Sequence, residues 1–344
     1  MKALVLEDKE KVVYKDVPKP ECPKDGILLK IDVVGLCGSD VRTYSSGVNG
    51  LDFPFILGHE NIGIIEEIGE DVEGYKVGER VIVNPVIPCG NCYYCEKGMQ
   101  NLCSTRLTYG HHLHGGFAEY MLIPGIGVQR GQILKIPEGV KSEDMVVVEL
   151  LSSVVNSQEL VNVTLGDTVV IIGAGPLGCL HSEIARLRGA KNIIMANRSE
   201  ARLEKSKPFS GTHSVNTSKE NLKEKVMEIT DGMGADVVIN ATPASKTIED
   251  GIHLLRKQGK LLIFGGLPKD NPNINLDGNL LHYSEIQVIG GFSTTPDSFR
   301  KAFEVVAKGM INAELVSHIL PLKDMEKGVK MLKSGEALKV VLKP

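Results

Sequence analysis

The sequence has no surplus of positive charge. Its formal net charge is −4 and its pI is near 6.2, so the basic stripe that nucleic-acid binding needs is missing and nucleic acid is not an expected partner. It also has no run of roughly 18 uninterrupted apolar residues, the length that a membrane span requires. The opening stretch MKALVLEDKEKVV shows neither the apolar run nor the small-residue cleavage site of a secretory signal, so a cytoplasmic protein is expected. Internal repeats and low-complexity segments are lacking too. What is left is the composition of a packed, water-soluble enzyme, with 42% apolar and 24% charged residues. At 344 residues the chain exceeds what one hydrophobic core usually supports, and two domains are expected.

Seven cysteines are present, Cys22, Cys37, Cys89, Cys92, Cys95, Cys103 and Cys179, an odd number concentrated in one short segment. In a reducing compartment this reads as metal ligands before disulfides. The segment PCGNCYYCEKGMQNLC sets Cys89, Cys92, Cys95 and Cys103 at spacings of two, two and seven intervening residues. Four thiolates satisfy a tetrahedral Zn²⁺ completely, so this lobe, 88–104, is expected to hold a structural ion with no position for substrate. Gly90 and Gly98 supply its tight turns. A nucleic-acid zinc ribbon is the other reading of clustered cysteines, and the acidic pI weighs against it.

A second donor set has a different character. Cys37, His59 and Glu60 offer a thiolate, an imidazole and a carboxylate, which can hold Zn²⁺ and leave a coordination position open. Ser39 stands two residues past the cysteine, where a hydroxyl that both donates and accepts could relay a proton outward. Glu149 sits in the apolar run VVVELLSSVV. A buried unpaired carboxylate is costly, so zinc or its bound water is an expected partner; the alternative is a carboxylate hydrogen-bonded near a helix start. In TYGHHLHGG, His111, His112 and His114 are expected to be solvated or hydrogen-bonded, or to edge the substrate cleft, with a second metal site as the alternative.

From 1 to about 150 the pattern is short apolar runs broken by glycine and proline, which suggests an all-β domain, a barrel or sandwich. At 166 the composition changes. GDTVVIIGAGPLGCL reads as a strand, then Gly173, Gly175 and Gly178 in the order G-x-G-x-x-G with Pro176 and Leu177 inside the turn, then a helix. The first glycine makes the turn, the second admits a pyrophosphate, the third packs helix on strand, and the helix N-terminus offers free N–H groups to the anion. Further strands at 192–196, 236–241, 260–265 and 286–290 complete a Rossmann-type parallel sheet over 156–294. After the second strand, where NAD-binding folds place an acid, the chain reads Ala196, Asn197, Arg198, Ser199. With no acid to repel a 2′-phosphate, Arg198 and Ser199 could grip it, which favours NADP over NAD. The alternative leaves Asn197 on the ribose hydroxyls and Arg198 in solvent. The remainder, 295–344, contains two amphipathic helical stretches and a final apolar strand.

GHENIGIIEEIGEDV fits, glycine for glycine, the pattern GHExxGxxxxxG of the zinc-containing medium-chain alcohol dehydrogenases, and CGSDV resembles their polyol, sorbitol-type branch. The cysteine spacing also matches that family's structural-zinc lobe. The resemblance implies a GroES-like barrel catalytic domain (1–155), a Rossmann domain and a tail crossing back to the first domain. It further implies two zinc ions per chain, a homodimer or homotetramer, and reversible oxidation of a secondary alcohol to a ketone with NAD(P)⁺. Cys37, His59 and Glu60 would hold the catalytic ion with Glu149 close by, and Ser39 would pass the proton toward water. Two departures stand out. Leu150 follows Glu149 where the family usually has proline, and Thr294 and Thr295 stand where animal sorbitol dehydrogenases have arginine and tyrosine. A hexitol, a cyclic polyol, a short diol and a sugar acid all stay open as substrates. A zinc-free quinone or enone reductase of the same fold, or a dinucleotide sensor with structural zinc alone, would differ from a dehydrogenase in metal content.

Overall fold

The apolar runs of the first third form strands whose pairing, more than their length, decides what meets what. The structure is a computed structural model describing residues 1–47 and 53–344. The chain divides into two units, Met1–Glu149 with Thr294–Pro344, and Leu150–Ser293. The boundary falls inside the helix Val148–Val161, between Glu149 and Leu150.

In the first unit the main sheet runs Val316–Pro321, Lys339–Lys343, Ile27–Leu36, Glu60–Ile68, Arg80–Val83, Ile133–Lys135, and Tyr120–Ile123 also pairs with Ile27–Leu36. The central strand Ile27–Leu36 is antiparallel to Glu60–Ile68, with Gly35 opposite Glu60. Lys339–Lys343 pairs on its other side, with Val340 opposite Leu36. This register gathers three distant segments at one end of the sheet: Cys37 follows the central strand, Glu60 opens one neighbour and Lys339 opens the other. The underlying core includes Leu4, Leu6, Ile27, Leu29, Leu57, Phe117 and Leu342, each such side chain contributing about 1.5–3 kcal/mol on full burial.

The tail holds a strand that its sequence pattern hides. Val316–Pro321 lies between the helices Pro296–Ala307 and Met325–Ser334 and pairs in parallel with Lys339–Lys343, the helix serving as the crossover that parallel pairing needs. Thr294 and Thr295 start the first of these helices. The Thr295 hydroxyl accepts the Ser298 N–H at 3.1 Å, and the Thr294 hydroxyl lies 3.0 Å from the Ser298 hydroxyl, so both serve a helix cap.

The second unit is a six-stranded parallel sheet in the order His213–Asn216, Asn192–Asn197, Thr168–Ile172, Ala235–Asn240, Leu255–Ile263, Gln287–Gly290. This is the doubly wound dinucleotide-binding arrangement, whose strand order reverses beside its first strand. The strand His213–Asn216 is four residues long, too short for alternation to reveal. The strand expected at 260–265 begins at Leu255, with a register irregularity opposite Ala235 and Val237. No helix among the described residues is long and apolar enough to cross a membrane.

Candidate active site and cofactor pocket

Cys37 precedes the helix Gly38–Ser46, and its backbone N–H donates to Asp40 Oδ2 at 2.9 Å. The other Asp40 oxygen lies 3.2 Å from His59 Nδ1. Asp40 is fully buried, so its carboxylate fixes the imidazole with the proton on Nδ1 and presents Nε2, the arrangement that metal-binding histidines need. Ser39 Oγ stands 3.4 Å from that Nε2. Cys37, His59 and Glu60 each bring one donor atom to a common place, all within 4.8 Å of one another. The local field suits a cation. Burial opposes a charged His59, yet Asp40 and Cys37 outweigh it and hold the imidazole pKa well above its ordinary value. A pocket that attracts a proton this strongly fits Zn²⁺ by donor chemistry and by charge.

Glu60 has a partner that the sequence did not suggest. Lys339, 2% exposed, donates from Nζ to Glu60 Oε1 at 2.5 Å and to Leu36 O at 3.2 Å, and it also meets Oε2. That second oxygen has no well-directed hydrogen bond, so the Oε2 contact is an ion pair only. Gly35 makes room for this carboxylate: a Cβ there would lie 1.7 Å from Glu60 Oε2 and 2.7 Å from Val146 Cγ1. Glu149, in the first turn of Val148–Val161, is not one of the three donors within 4.8 Å. Burial raises its pKa to about 7, with His59 opposing and Glu60 adding to the rise, so it lies within electrostatic reach of the donors.

Cys89, Cys92, Cys95 and Cys103 converge, their sulfurs within 4.8 Å of one another, and none forms a disulfide. The Asn91 N–H and then the Thr105 hydroxyl pull the Cys89 thiol down to about 6, while burial pushes Cys95 up to about 12. A divalent cation is the group that would turn all four into thiolates together. The lobe is pinned from outside by Arg130, which donates to the Cys89 carbonyl.

In the second unit the glycine turn has the expected division of labour. A Cβ on Gly178 would lie 1.8 Å from Gly173 O, whereas Gly175 faces open space, room for a ligand to reach the backbone. Pro176 opens the helix Pro176–Leu187, with Leu177 behind it. Beside the turn lies a cavity of about 750 Å³ lined by Gly173, Asn197, Arg198, Lys223 and Lys246 among others. Asn197 Oδ1 accepts from Ala174 N at 3.5 Å and its Nδ2 donates to Ser199 O at 3.2 Å, so the side chain braces the turn. Ser199 Oγ caps Glu200–Ser206, accepting from Arg202 N at 3.4 Å, and it keeps its hydroxyl proton to donate. Lys246 is paired with Asp250 at 2.8 Å; Arg198 has no acidic partner among the described residues.

Sequence reading passed over Asp40, Lys339 and Lys223. The first two left a signal. In CGSD the acid sits three residues after the cysteine on the same helical face, and a lysine heading an otherwise buried strand requires a partner.

The alcohol dehydrogenase GroES-like domain family matches residues 23–138 and the zinc-binding dehydrogenase family matches 176–308. The sorbitol dehydrogenase of Halalkalibacterium halodurans is 34% identical over 96% of this chain and 95% of its own length. The D-xylulose reductase A of Aspergillus oryzae is 31% identical over 99% and 96%. Among solved structures, a Sinorhizobium meliloti protein described as a zinc-binding dehydrogenase bound to NADP superimposes with a TM-score of 0.91 at 29% identity, covering 100% of this chain and 99% of that one. With the GroES-like and Rossmann matches, the two donor sets and relatives above 30% identity along nearly its whole length, the chain belongs to the zinc-dependent medium-chain alcohol and polyol dehydrogenases, NAD(P)-dependent oxidoreductases.

Proposed function

We propose that this enzyme oxidises a secondary hydroxyl of a polyol, cyclic polyol or sugar derivative to the ketone, reversibly, with NADP⁺ as the preferred acceptor. The observation that carries the reading is the meeting of Cys37, His59 and Glu60 within 4.8 Å, beside the Ser39 hydroxyl. Zn²⁺ bound there would supply the Lewis acidity that lowers an alcohol's proton affinity, and the nicotinamide would supply the hydride acceptor. Cys37, His59 and Glu60 hold the ion, with Glu149 near enough to act on its surroundings. Asp40 fixes the His59 tautomer, and Lys339 balances the Glu60 charge. Ser39 Oγ accepts the alcohol proton and hands its own toward water. Cys89, Cys92, Cys95 and Cys103 hold a second, structural ion.

For the cofactor, Gly173, Gly175, Pro176, Leu177 and Gly178 receive the pyrophosphate and Asn197 braces the turn. Arg198, with Ser199, meets the 2′-phosphate; the free guanidinium beside the cavity supports this, as does the NADP in the Sinorhizobium meliloti neighbour. The polyol class is supported by relatives named for sorbitol and xylulose. On the family resemblance we read the protein as a cytoplasmic homodimer or homotetramer.

The test is a panel of polyols and sugar acids assayed with NAD⁺ and NADP⁺ on protein of known zinc content. Two zinc ions per chain, turnover of a polyol and tighter NADP⁺ are expected. Arg198→Ala should weaken NADP(H) by one to two powers of ten, the usual worth of a charge-assisted hydrogen bond, with little change for NAD(H). Tighter binding of NAD(H) by the parent would refute the cofactor preference, and one zinc per chain without turnover would refute the enzyme reading.

A further inference from the structure

The loop 108–115 is fastened to the segment that carries His59. Gly115 N donates to Ile56 O at 2.8 Å, Gly116 N to Gly58 O at 3.0 Å and Phe117 N to Leu57 O at 2.9 Å. The loop closes on itself through Gly110 N to Leu113 O at 2.7 Å and His112 N to Thr108 O at 2.8 Å. The two backbones nearly touch, since a Cβ on Gly110 would lie 3.1 Å from Gly58 and one on Gly115 would lie 1.9 Å from Gly58 O. Such a loop holds its side chains still relative to the metal donors. Preorganisation of this kind is what substrate positioning requires.

The three histidines of the loop are placed differently. His114 turns away, stacked 4.8 Å from the Phe55 ring and accepting from Ile56 N at 3.3 Å. His112 is exposed. His111 is half-buried, its ring 5.7 Å from the His59 ring at a 37° tilt, and neither ring nitrogen has a hydrogen-bond partner among the described residues. It also lies outside the donor set that could share one ion. An imidazole carries a donor and an acceptor in its neutral form. Half-buried, both nitrogens are open to water in the free enzyme and to a ligand group that takes the water's place.

We propose that His111 is a specificity-determining residue that hydrogen-bonds a second hydroxyl of the substrate, on the carbon next to the one oxidised, and so favours vicinal diols and polyols over simple secondary alcohols. This rests on the proposed alcohol oxidation at Cys37, His59 and Glu60. A simple alcohol leaves the imidazole to water, whereas a diol bonds it directly in a fixed geometry, and the difference appears in kcat/KM.

The experiment compares 2,3-butanediol with 2-butanol, a pair differing by that one hydroxyl, in the parent, His111→Ala and His111→Asn, with zinc measured per chain. In His111→Ala the ratio of the two kcat/KM values is expected to fall about three- to ten-fold, the worth of one hydrogen bond, chiefly through KM for the diol and with zinc at the parental level. His111→Asn, which keeps a donor and an acceptor, should recover part of the ratio. An unchanged ratio in His111→Ala, with the parent active on both alcohols, would overturn this inference alone. Loss of zinc together with activity on both alcohols would make His111 a metal ligand and overturn it as well. A parent inactive on both and on every polyol of the panel would overturn the alcohol-oxidation reading, and this inference with it; a parent inactive on both yet active on other polyols would overturn this inference alone.

Discussion

Replacing Lys339 by methionine removes the charge facing Glu60 while nearly keeping the side-chain volume. In the parent the ammonium meets both Glu60 oxygens and donates to Leu36 O at 3.2 Å, with the Lys339 and Glu60 side chains 2% and 0% exposed. Removing one member of a buried pair leaves the other charge uncompensated, a cost of about 3–5 kcal/mol. The lost donor to Leu36 O adds about 1 kcal/mol at most, because that carbonyl lies within a paired strand. In protein stripped of zinc by a chelator, Lys339→Met should therefore lose about 3–5 kcal/mol of the unfolding free energy of the first unit, read from urea melts with an unchanged m-value. Zinc in the site neutralises Glu60 from its other side, so the loss should be smaller in loaded protein. Glu60→Gln combined with Lys339→Met should be closer to the parent than Lys339→Met alone, and the double-mutant cycle gives the pair's coupling. A stripped Lys339→Met protein within about 0.5 kcal/mol of the parent would show that the carboxylate does not depend on the lysine, and the reasoning fails.

Gly35→Ala sets a methyl 1.7 Å from Glu60 Oε2; it should cost about 1–3 kcal/mol as overpacking and weaken zinc in the open site, and parental stability with full zinc would count against the cradle. Cys95→Ser removes a ligand that four converging thiols need, so zinc should fall to about one per chain and cleavage within 88–104 by a protease should speed up; an unaltered zinc content would exclude the site. His181, fully buried and beside Gln158, is held neutral by burial, its pKa lowered from 6.5 to about 3. The unfolded chain then binds a proton that the folded chain refuses between pH 6.5 and 3, so stability falls as pH drops through that window, by at most about 1.4 kcal/mol per unit. His181→Gln should flatten this slope in denaturant melts at pH 7.5 and pH 5, and parallel pH dependences for mutant and parent would refute it.

What the sequence determined by itself was the chemistry carried by short segments. Cysteine spacings in 89–103, the CGSD and GHE segments and the glycine order in 173–178 each name their chemistry within a short stretch, although Cys37 meets His59 and Glu60 only through the pairing of Ile27–Leu36 with Glu60–Ile68. The parallel sheet of the second unit was legible for the same reason, because each strand and following helix repeats one local pattern. Tertiary structure decided the rest. Lys339 stands 279 residues from Glu60, and only the register of two strands on either side of Ile27–Leu36 brings them together. No local pattern records that register. Thr294 and Thr295, which stand where animal sorbitol dehydrogenases have arginine and tyrosine, are engaged in a helix cap. The short strands His213–Asn216 and Val316–Pro321 owe their extended form to neighbours already in place, since hydrogen bonding to an existing sheet edge can outweigh weak local preference.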